Sequence, residues 1–330
     1  MFDKIKIYTD YSQLHDSPGF TKRIVAIGNF DGLHLGHRYL LDKMVTYARE
    51  QGLSTAVLTF HPNPAEWFKA KHFAGYIFNT NQKMRALGES HIEVVLNQNF
   101  DHAFSNLSPT EFMNEVLIKA LNAHVVVVGD DFRFGKNRSG SASDLAHFFS
   151  DLGRKVISVE LLTNGGQTAS STFIRKSLES GDLASASKAL GHSFVLEGEV
   201  IHGRKLARSL GFPTANVSLG NYVKPKFGVY GGRVVIHESE SDLGLIHPYS
   251  KAHLAAINIG VKPTISEIPL PMIEVHLIDL DMDFDYLYGK RISVFLEEYI
   301  RDERKFSSLE ELTKQIGQDV KQIKSTLLGS

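Results

Sequence analysis

Apolar residues are patterned in two different ways along the chain. In the first half, short continuous apolar runs alternate with stretches whose apolar residues recur every three or four positions. The runs at 24–28, 55–60, 93–96, 124–129 and 156–160 predict strands. Val125 to Val128, apolar at every position, predicts a strand buried on both faces. Helical spacing covers 37–51, stopped by Gly52, then 110–121, opened by Ser108-Pro109-Thr110, and 143–152, stopped by Gly153. This alternation predicts an α/β domain with a parallel, doubly wound sheet, whose ligands sit beyond the carboxyl ends of the strands. After about residue 185 the helices drop out. Segments 194–201, 229–236, 254–260, 272–280 and 291–300 are β-rich and separated by Gly, Pro and Asp/Ser clusters, which predicts an antiparallel barrel or sandwich. Leu309, Leu312, Ile316, Val320 and Ile323 then mark one amphipathic C-terminal helix.

A chain of 330 residues exceeds what one hydrophobic core usually serves, so two domains are expected. The pattern is weakest from Gly181 to Gly191, which places one domain over 1–185 and a second over 186–330. With 42% apolar and 22% charged residues the composition is that of an ordinary soluble protein. A net charge of -1 gives no case for a protein that coats nucleic acid or a membrane surface. No apolar run approaches ~18 residues, and the start, MFDKIKIYTDYSQ, carries charges where a signal peptide needs an apolar core. The absence of cysteine removes disulfides, thiolate metal sites and cysteine nucleophiles, and fits a reducing cytoplasm. A cytoplasmic monomer acting on small molecules is the expectation.

The chemistry concentrates at the strand ends. Ile24-Val25-Ala26-Ile27 is followed by Gly28-Asn29-Phe30-Asp31-Gly32-Leu33-His34-Leu35-Gly36-His37 and then by a helix. Strand, glycine-punctuated turn and helix start leave backbone N–H groups free for an anion, and the glycines let the backbone approach it closely. His34 and His37 can both face a phosphate from the mouth of that helix. Taken singly they would be a surface pair, and as zinc ligands they would need a third partner in a chain that has no thiolate. Neither a Walker loop nor Gly-x-Gly-x-x-Gly occurs at this turn, so phosphates would be held differently here. Farther along, Ser170-Ser171-Thr172-Phe173-Ile174-Arg175 opens another helix. Hydroxyls there are ordinary caps, but Arg175 adds a guanidinium able to grip phosphate oxygens.

The second domain carries Gly203-Arg204-Lys205-Leu206-Ala207-Arg208-Ser209-Leu210-Gly211-Phe212-Pro213-Thr214-Ala215-Asn216. A basic, glycine-containing loop precedes an extended Pro-Thr-x-Asn unit, and residues two apart on a strand face the same side. Thr214 and Asn216 thus present a hydroxyl and an amide oxygen together, a poor set for zinc but suited to magnesium.

His34-Leu35-Gly36-His37 resembles the HxGH signature of the nucleotidyltransferase superfamily, and the longer GNFDGLHLGH string is similar to that of the bacterial bifunctional riboflavin kinase/FAD synthetases. Ser170 to Arg175 resembles the SSTxxR signature of the same superfamily, and Gly129 to Gly135 its GxDFxFG loop. GFPTAN resembles the riboflavin kinase motif, followed in order by Pro225-x-x-Gly228-Val229-Tyr230, Asn258-Ile259-Gly260-x-x-Pro263-Thr264, Ile273-Glu274-Val275-His276-Leu277 and Tyr288 to Arg301. The resemblance covers nearly the whole chain. It implies a Rossmann-like HxGH nucleotidyltransferase domain followed by an antiparallel β-barrel riboflavin kinase domain with a C-terminal helix.

It further implies that the second domain phosphorylates riboflavin to FMN and the first adenylylates FMN to FAD, with ATP as co-substrate and Mg2+ at both steps. His34 and His37 would act on the ATP phosphates with Gly28, Asn29, Phe30 and Gly36, while Ser171, Thr172 and Arg175 hold the β- and γ-phosphates. In the kinase, Glu274 would be the base, Thr214 and Asn216 the metal ligands, and Gly203, Lys205 and Gly211 the phosphate loop. Flavin contacts are implied at Asn63, Asp131 and Arg301. Two departures stand out: Asn63 occupies a place where histidine is common in the family's TFxPHP segment, and Ala207 one where glycine is frequent. Two rival expectations follow: a kinase whose first domain has lost its adenylyl acceptor, motivated by Asn63, and a catalytically silent flavin- or nucleotide-binding regulator, whose mark would be broken histidines or a missing base.

Overall fold

The computed structural model describes residues 5–14, 21–160, 163–164, 167–202, 211–238, 252–262, 270–280 and 284–329. The chain divides into two compact units, Met1–Phe73 with Thr80–Ser170, and Ala74–Asn79 with Ser171–Ser330.

The first unit contains strands β1 (Lys6–Tyr8), β2 (Arg23–Ile27), β3 (Ser54–His61), β4 (Val94–Asn99), β5 (Ala123–Gly129), β6 (Arg133–Phe134), β7 (Gly140–Ser141), β8 (Lys155–Val159), β9 (Thr163–Asn164) and β10 (Gln167–Thr168). Its helices are α1 (Leu35–Gln51), α2 (Pro64–Lys69), α3 (Thr80–Glu89), α4 (His102–Ser105), α5 (Pro109–Glu111) and α6 (Ala142–Asp151). The main sheet runs β1-β4-β3-β2-β5-β8 with every pairing parallel. From β2 the chain adds β3 and β4 on one side, then returns to place β5 on the other. The reversal puts a crevice at the carboxyl ends of β2 and β5, the place where open α/β sheets bind ligands. Val126, Val127 and Val128 are almost fully buried, as the continuous run predicts for a strand covered on both faces.

Two local features differ from expectation. The helix expected over 110–121 starts as α5 under a Ser108–Glu111 capping box, but continues as a π-helical stretch, Phe112–Ala120. There the Leu121 N–H reaches back five residues to the Val116 carbonyl. The edge strand β1 and helices α2 and α3 were not predicted. They are short or mixed in polarity, so periodicity gives them little signal.

The second unit contains α7 (Ser171–Ser180), α8 (Leu183–Leu190), β11 (Phe194–Ile201), β12 (Ala215–Ser218), β13 (Gly228–His237), β14 (His253–Lys262), β15 (Leu270–Leu277), β16 (Arg291–Arg301) and α9 (Leu309–Leu328). The junction expected at 185/186 falls within α8, which Asp182 caps at its start and Gly191, at φ 79°, ends. At eight residues this helix is too short for apolar spacing to mark it. The strands close into an antiparallel barrel, β11-β12-β15-β14-β13-β16. Ala215, Val217, Ile257, Ile259, Ile273, Val275 and Val294 are buried, and alternation along each strand turns the intervening residues outward. The amphipathic helix α9 buries Ile323 against β13, where a Cβ on Gly231 would lie 3.0 Å from the Ile323 Cγ1. Among the described residues, no helix is long and apolar enough to cross a membrane.

Candidate functional site

In the first unit the site is built on the turn that leaves β2. Phe30 (φ 48°), Gly32 (φ 79°) and Leu33 (φ 38°) take left-handed conformations, and the two non-glycine side chains are buried at 1% and 2% exposure. Packing of those side chains holds a backbone that L-residues otherwise avoid. A Cβ on Gly28 would come within 3.2 Å of the Phe30 ring, so glycine lets the ring fold back under the turn. His34 is the N-cap of α1, its Nδ1 accepting from the His37 N–H at 3.3 Å. With Nδ1 accepting, the proton of a neutral imidazole resides on Nε2, which becomes a donor. The two rings stack at 3.6 Å and 18°, and the His37 ring also meets Phe30 at 5.1 Å. Gly36 is required by this stack. A Cβ there would sit 3.2 Å from the His34 ring and 3.3 Å from the Ala169 carbonyl.

Burial pushes the His37 imidazole well below its usual range, and the neighbouring His34 and Lys83 push it further. His37 is therefore neutral at pH 7, and its buried Nδ1 has no hydrogen-bond partner. His37 thus offers a neutral donor and not imidazolium charge. The positive charge at this end of the sheet is instead Lys83 of α3, a residue absent from the sequence expectations. Lys83 is 6% exposed, and its Nζ donates to Thr59 Oγ1 at 3.1 Å and to the Phe60 carbonyl at 3.2 Å.

The other expected contacts of this unit are more local. Asn29 is exposed, and its carbonyl accepts from Thr59 Oγ1 at 3.1 Å. Asn63 is buried, and its Oδ1 accepts from the Ala65 N–H at 2.9 Å, starting α2. Asp131 is exposed on the tight turn after β5, where the Phe132 N–H returns to the Gly129 carbonyl at 3.1 Å. Phe134 is packed in the hydrophobic core, with Phe132 stacked on it.

Ser171, Thr172 and Arg175 open α7 and are counted with the second unit. Arg175 Nε donates to the Gly75 carbonyl at 2.8 Å. The segment that contains Gly75 is stitched to the second unit: the Tyr76 N–H donates to Asn221 O, and the Val223 N–H to Tyr76 O, both at 2.8 Å. Gly75 itself takes φ 96°, and a Cβ there would collide with the Tyr222 carbonyl.

In the barrel, strand register brings the expected kinase residues together. Asn216 of β12 pairs with Glu274 of β15, which pairs with Asn258 of β14. Because their strand neighbours Ala215, Val217, Ile273, Val275, Ile257 and Ile259 fill the interior, this row faces outward. Asn216 is 9% exposed, while Glu274 and Asn258 are half-buried. Thr214 lies one residue before β12, on the Asn216 side of an extended chain. His276, two residues after Glu274, anchors this approach. Its Nδ1 donates to the Pro213 carbonyl at 2.9 Å and its ring meets Phe212 edge-on. Burial lowers the His276 imidazole below its usual range, against the opposing pull of the Pro213 carbonyl and Asp279.

The same row continues through Val229 to Arg301. The Arg301 guanidinium turns to α9, with Nε donating to Asp319 Oδ1 at 3.0 Å and Nη2 to Oδ2 at 2.8 Å. Gly211 is exposed at φ 83°, whereas Gly203 and Lys205 lie outside the described residues. Among the described residues, no cluster of three or more His, Asp and Glu side chains could hold a metal ion.

Comparison with known proteins gives consistent results for both halves. The FAD synthetase family model matches residues 17–173 and the riboflavin kinase family model residues 190–327. The bifunctional riboflavin kinase/FMN adenylyltransferase of Escherichia coli (strain K12) is 39% identical over 90% of both chains. That of Bacillus subtilis is 36% identical, also over 90% of both, and that of Haemophilus influenzae 34% over 91% of this chain and 93% of its own. The solved structure of a macrolide-efflux protein from Streptococcus pneumoniae is 28% identical with a TM-score of 0.81, covering 96% of this chain and 98% of that one. With its HxGH turn on a parallel sheet, its barrel row of Asn216, Glu274 and Asn258, and this identity along nine-tenths of its length, the chain belongs to the bifunctional riboflavin kinase/FMN adenylyltransferase family.

Proposed function

We propose that the chain converts riboflavin to FMN at the outward row of its barrel and FMN to FAD at the HxGH turn, in the cytoplasm, as a monomer. Kinase chemistry is assigned to residues 186–330 and adenylyl transfer to 1–185. The observation that carries the reading is the row Asn216–Glu274–Asn258, a carboxylate flanked by two amides at one level of a closed barrel.

In the kinase step Glu274 accepts the proton of the ribityl 5′-hydroxyl as that oxygen attacks the γ-phosphorus of ATP and ADP leaves. The hydroxyl of Thr214 and the amide oxygen of Asn216 fit a hard cation that takes few protein ligands. Magnesium, when bound there with ATP, supplies charge neutralisation at the phosphates. Gly203, Lys205 and Gly211 would cradle those phosphates, with Arg301 at the flavin end of the row.

In the adenylyl step an FMN phosphate oxygen attacks the α-phosphorus of a second ATP and pyrophosphate leaves. That nucleophile is already ionised near pH 7, since phosphate monoesters lose their second proton near ~6. The site therefore needs donors for the developing phosphate charge and no base, which is what His34 and the neutral His37 offer beside the turn amides of Gly28, Asn29, Phe30 and Gly36. Ser171, Thr172 and Arg175 would take the β- and γ-phosphates, and Asn63 and Asp131 the flavin side. A second reading, kinase activity alone, is motivated by Asn63, whose side-chain oxygen is engaged in starting α2. Incubation with riboflavin, ATP and magnesium, with FMN and FAD separated by chromatography, tests both: FAD supports the bifunctional reading, and FMN alone selects the kinase reading.

A further inference from the structure

Lys83 is the feature of the first unit that the two proposed reactions leave unexplained. A lysine is among the residues least often buried, and burying an ammonium is unfavourable unless it is paired. Here it is buried on α3 between Gln82 and Met84, which are also buried, and reaches the carboxyl end of β3. Its Nζ donates to Thr59 Oγ1 and the Phe60 carbonyl, and Thr59, itself fully buried, donates its hydroxyl to the Asn29 carbonyl. Two linked hydrogen bonds, Lys83 to Thr59 and Thr59 to Asn29, thus run from α3 into the turn that carries the HxGH histidines.

The charges around Lys83 come from every side. Asp31, 3% exposed on the turn, favours the ammonium form. His37 on α1 and His61 at the end of β3 are both discouraged from taking a proton by it. His34 acts on His37 in the same sense, while Glu66 of α2 acts on His61 in the opposite one. On α3 itself, Arg85 faces Glu89, as does Arg38 of α1.

We infer that Lys83 is a positioning residue for adenylyl transfer: its ammonium group fixes the GNFDG turn through Thr59 and Asp31. The inference rests on the adenylyl-transfer reading of that turn. It explains why a cation is buried at the switch point of the sheet while His37 stays uncharged. Burial lowers the Lys83 ammonium to about 8, so its charge is present at neutral pH and lost just above it.

The test uses the full-length chain and Lys83→Gln, which can keep one hydrogen bond but not the charge, with Lys83→Met as a second variant. FAD formation from supplied FMN should fall about 100-fold in both, the range for loss of preorganised donors, while FMN formation from riboflavin stays at the wild-type rate. In wild type, kcat for FAD formation should decline as pH rises through about 8, and that limb should be missing from the residual activity of Lys83→Gln. The His37 imidazole, followed by NMR with isotope-labelled histidine, should titrate at higher pH in both variants. Wild-type FAD rates in Lys83→Gln with an unchanged His37 titration overturn the inference. If wild type itself makes FMN but no FAD, the adenylyl-transfer reading falls. The NMR titration then still decides whether Lys83 sets the state of His37.

Discussion

A buried ammonium should leave a signature in stability as well as in rate. Lys83 loses its proton at about 8 in the folded chain, against an ordinary value of 10.5, because burial disfavours the charged form more than Asp31 favours it. Between those two pH values the unfolded chain holds a proton that the folded chain has released. Stability therefore rises with pH across that window, and below it the folded state carries the full desolvation penalty. A gap of about 2.5 pH units corresponds to about 3 kcal/mol at about 1.4 kcal/mol per unit. Lys83→Met removes the titrating group, so the variant should lack this rise. Its absolute stability at pH 7 is a balance of two effects, relief from burying the ammonium and loss of the cation beside Asp31. The slope with pH reports the net of burial and the Asp31 attraction on the ammonium itself.

The chain provides its own local probe. Trp67 is the only tryptophan, belongs to the first unit, and sets its ring edge-on to Phe100 at 6.5 Å. Urea unfolding followed by its fluorescence reports that unit alone, which matters because two units need not unfold together. Measured from pH 7 to pH 10.5, wild type should gain about 3 kcal/mol relative to Lys83→Met. His37 and His61 stay out of this window, since both are lowered from their usual range. Groups such as Tyr11, raised by burial, are common to both proteins and drop out of the difference. Parallel stability profiles in the two proteins would refute the reasoning, because they would show that Lys83 titrates alike in the folded and unfolded chains.

Four further outcomes are expected. His37→Ala should lower FAD formation about 100- to 1000-fold and leave riboflavin phosphorylation nearly intact; parallel loss of both in a folded protein would break the two-site assignment. Glu274→Gln should reduce FMN formation about 100-fold or more and spare FAD formation from supplied FMN, and an unchanged kinase rate would make Glu274 structural. Asn216→Ala should weaken the kinase in a way that added magnesium and ATP partly restore, whereas a magnesium titration identical to wild type would remove Asn216 from the metal site. Arg301→Met should destabilise the barrel unit by about 3–5 kcal/mol, because it leaves the buried Asp319 carboxylate to the neutral Gln315 amide with no cation in place of the guanidinium, and Arg301→Met with Asp319→Leu should recover most of that; a loss below about 1 kcal/mol in thermal unfolding would mean the pair is solvated.

The two architectures were legible because each writes its period into the chain. Continuous runs such as Val125–Val128 come from strands covered on both faces, and Ile257, Ile259, Ile273 and Val275 alternate with outward residues in the barrel. The HxGH spacing was legible too, since a capping histidine at the first position forbids a side chain at Gly36. Other features depend on contacts distant in sequence. Helix α3 reads as Thr-Asn-Gln-Lys-Met-Arg-Ala-Leu-Gly-Glu, and Lys83 looks like part of a solvated face until the sheet buries it. Asn63 and Arg301 illustrate the opposite ambiguity. Their types suit a ligand, and the structure also gives them local work, Asn63 starting α2 and Arg301 holding Asp319 of α9. Helix α8 was missed because its eight residues are too short a window for apolar spacing to mark it as a helix.

The residue types of the two sites follow from the protonation of the nucleophile each would use. A ribityl hydroxyl must lose a proton as it attacks, so its site needs a carboxylate, and the barrel supplies Glu274 between Asn216 and Asn258. An FMN phosphate arrives already ionised, and a carboxylate beside it would only repel it. The first unit has one nearby, Asp31, but buries it at 3% exposure next to Lys83 and presents two stacked imidazoles instead, of which His37 is neutral. A second positive charge on His37 would sit against both His34 and Lys83 in a desolvated setting, where like charges interact strongly. One buried cation beside a neutral His37 is thus a more stable way to receive developing phosphate charge than a further charge on His37. It also keeps His37 in one hydrogen-bonding state across neutral pH, so the acid limb of adenylyl transfer should reflect protonation of the FMN phosphate near ~6 rather than of His37. An acid limb for FAD formation that shifts in Lys83→Gln would locate that titration on His37 and reverse the assignment.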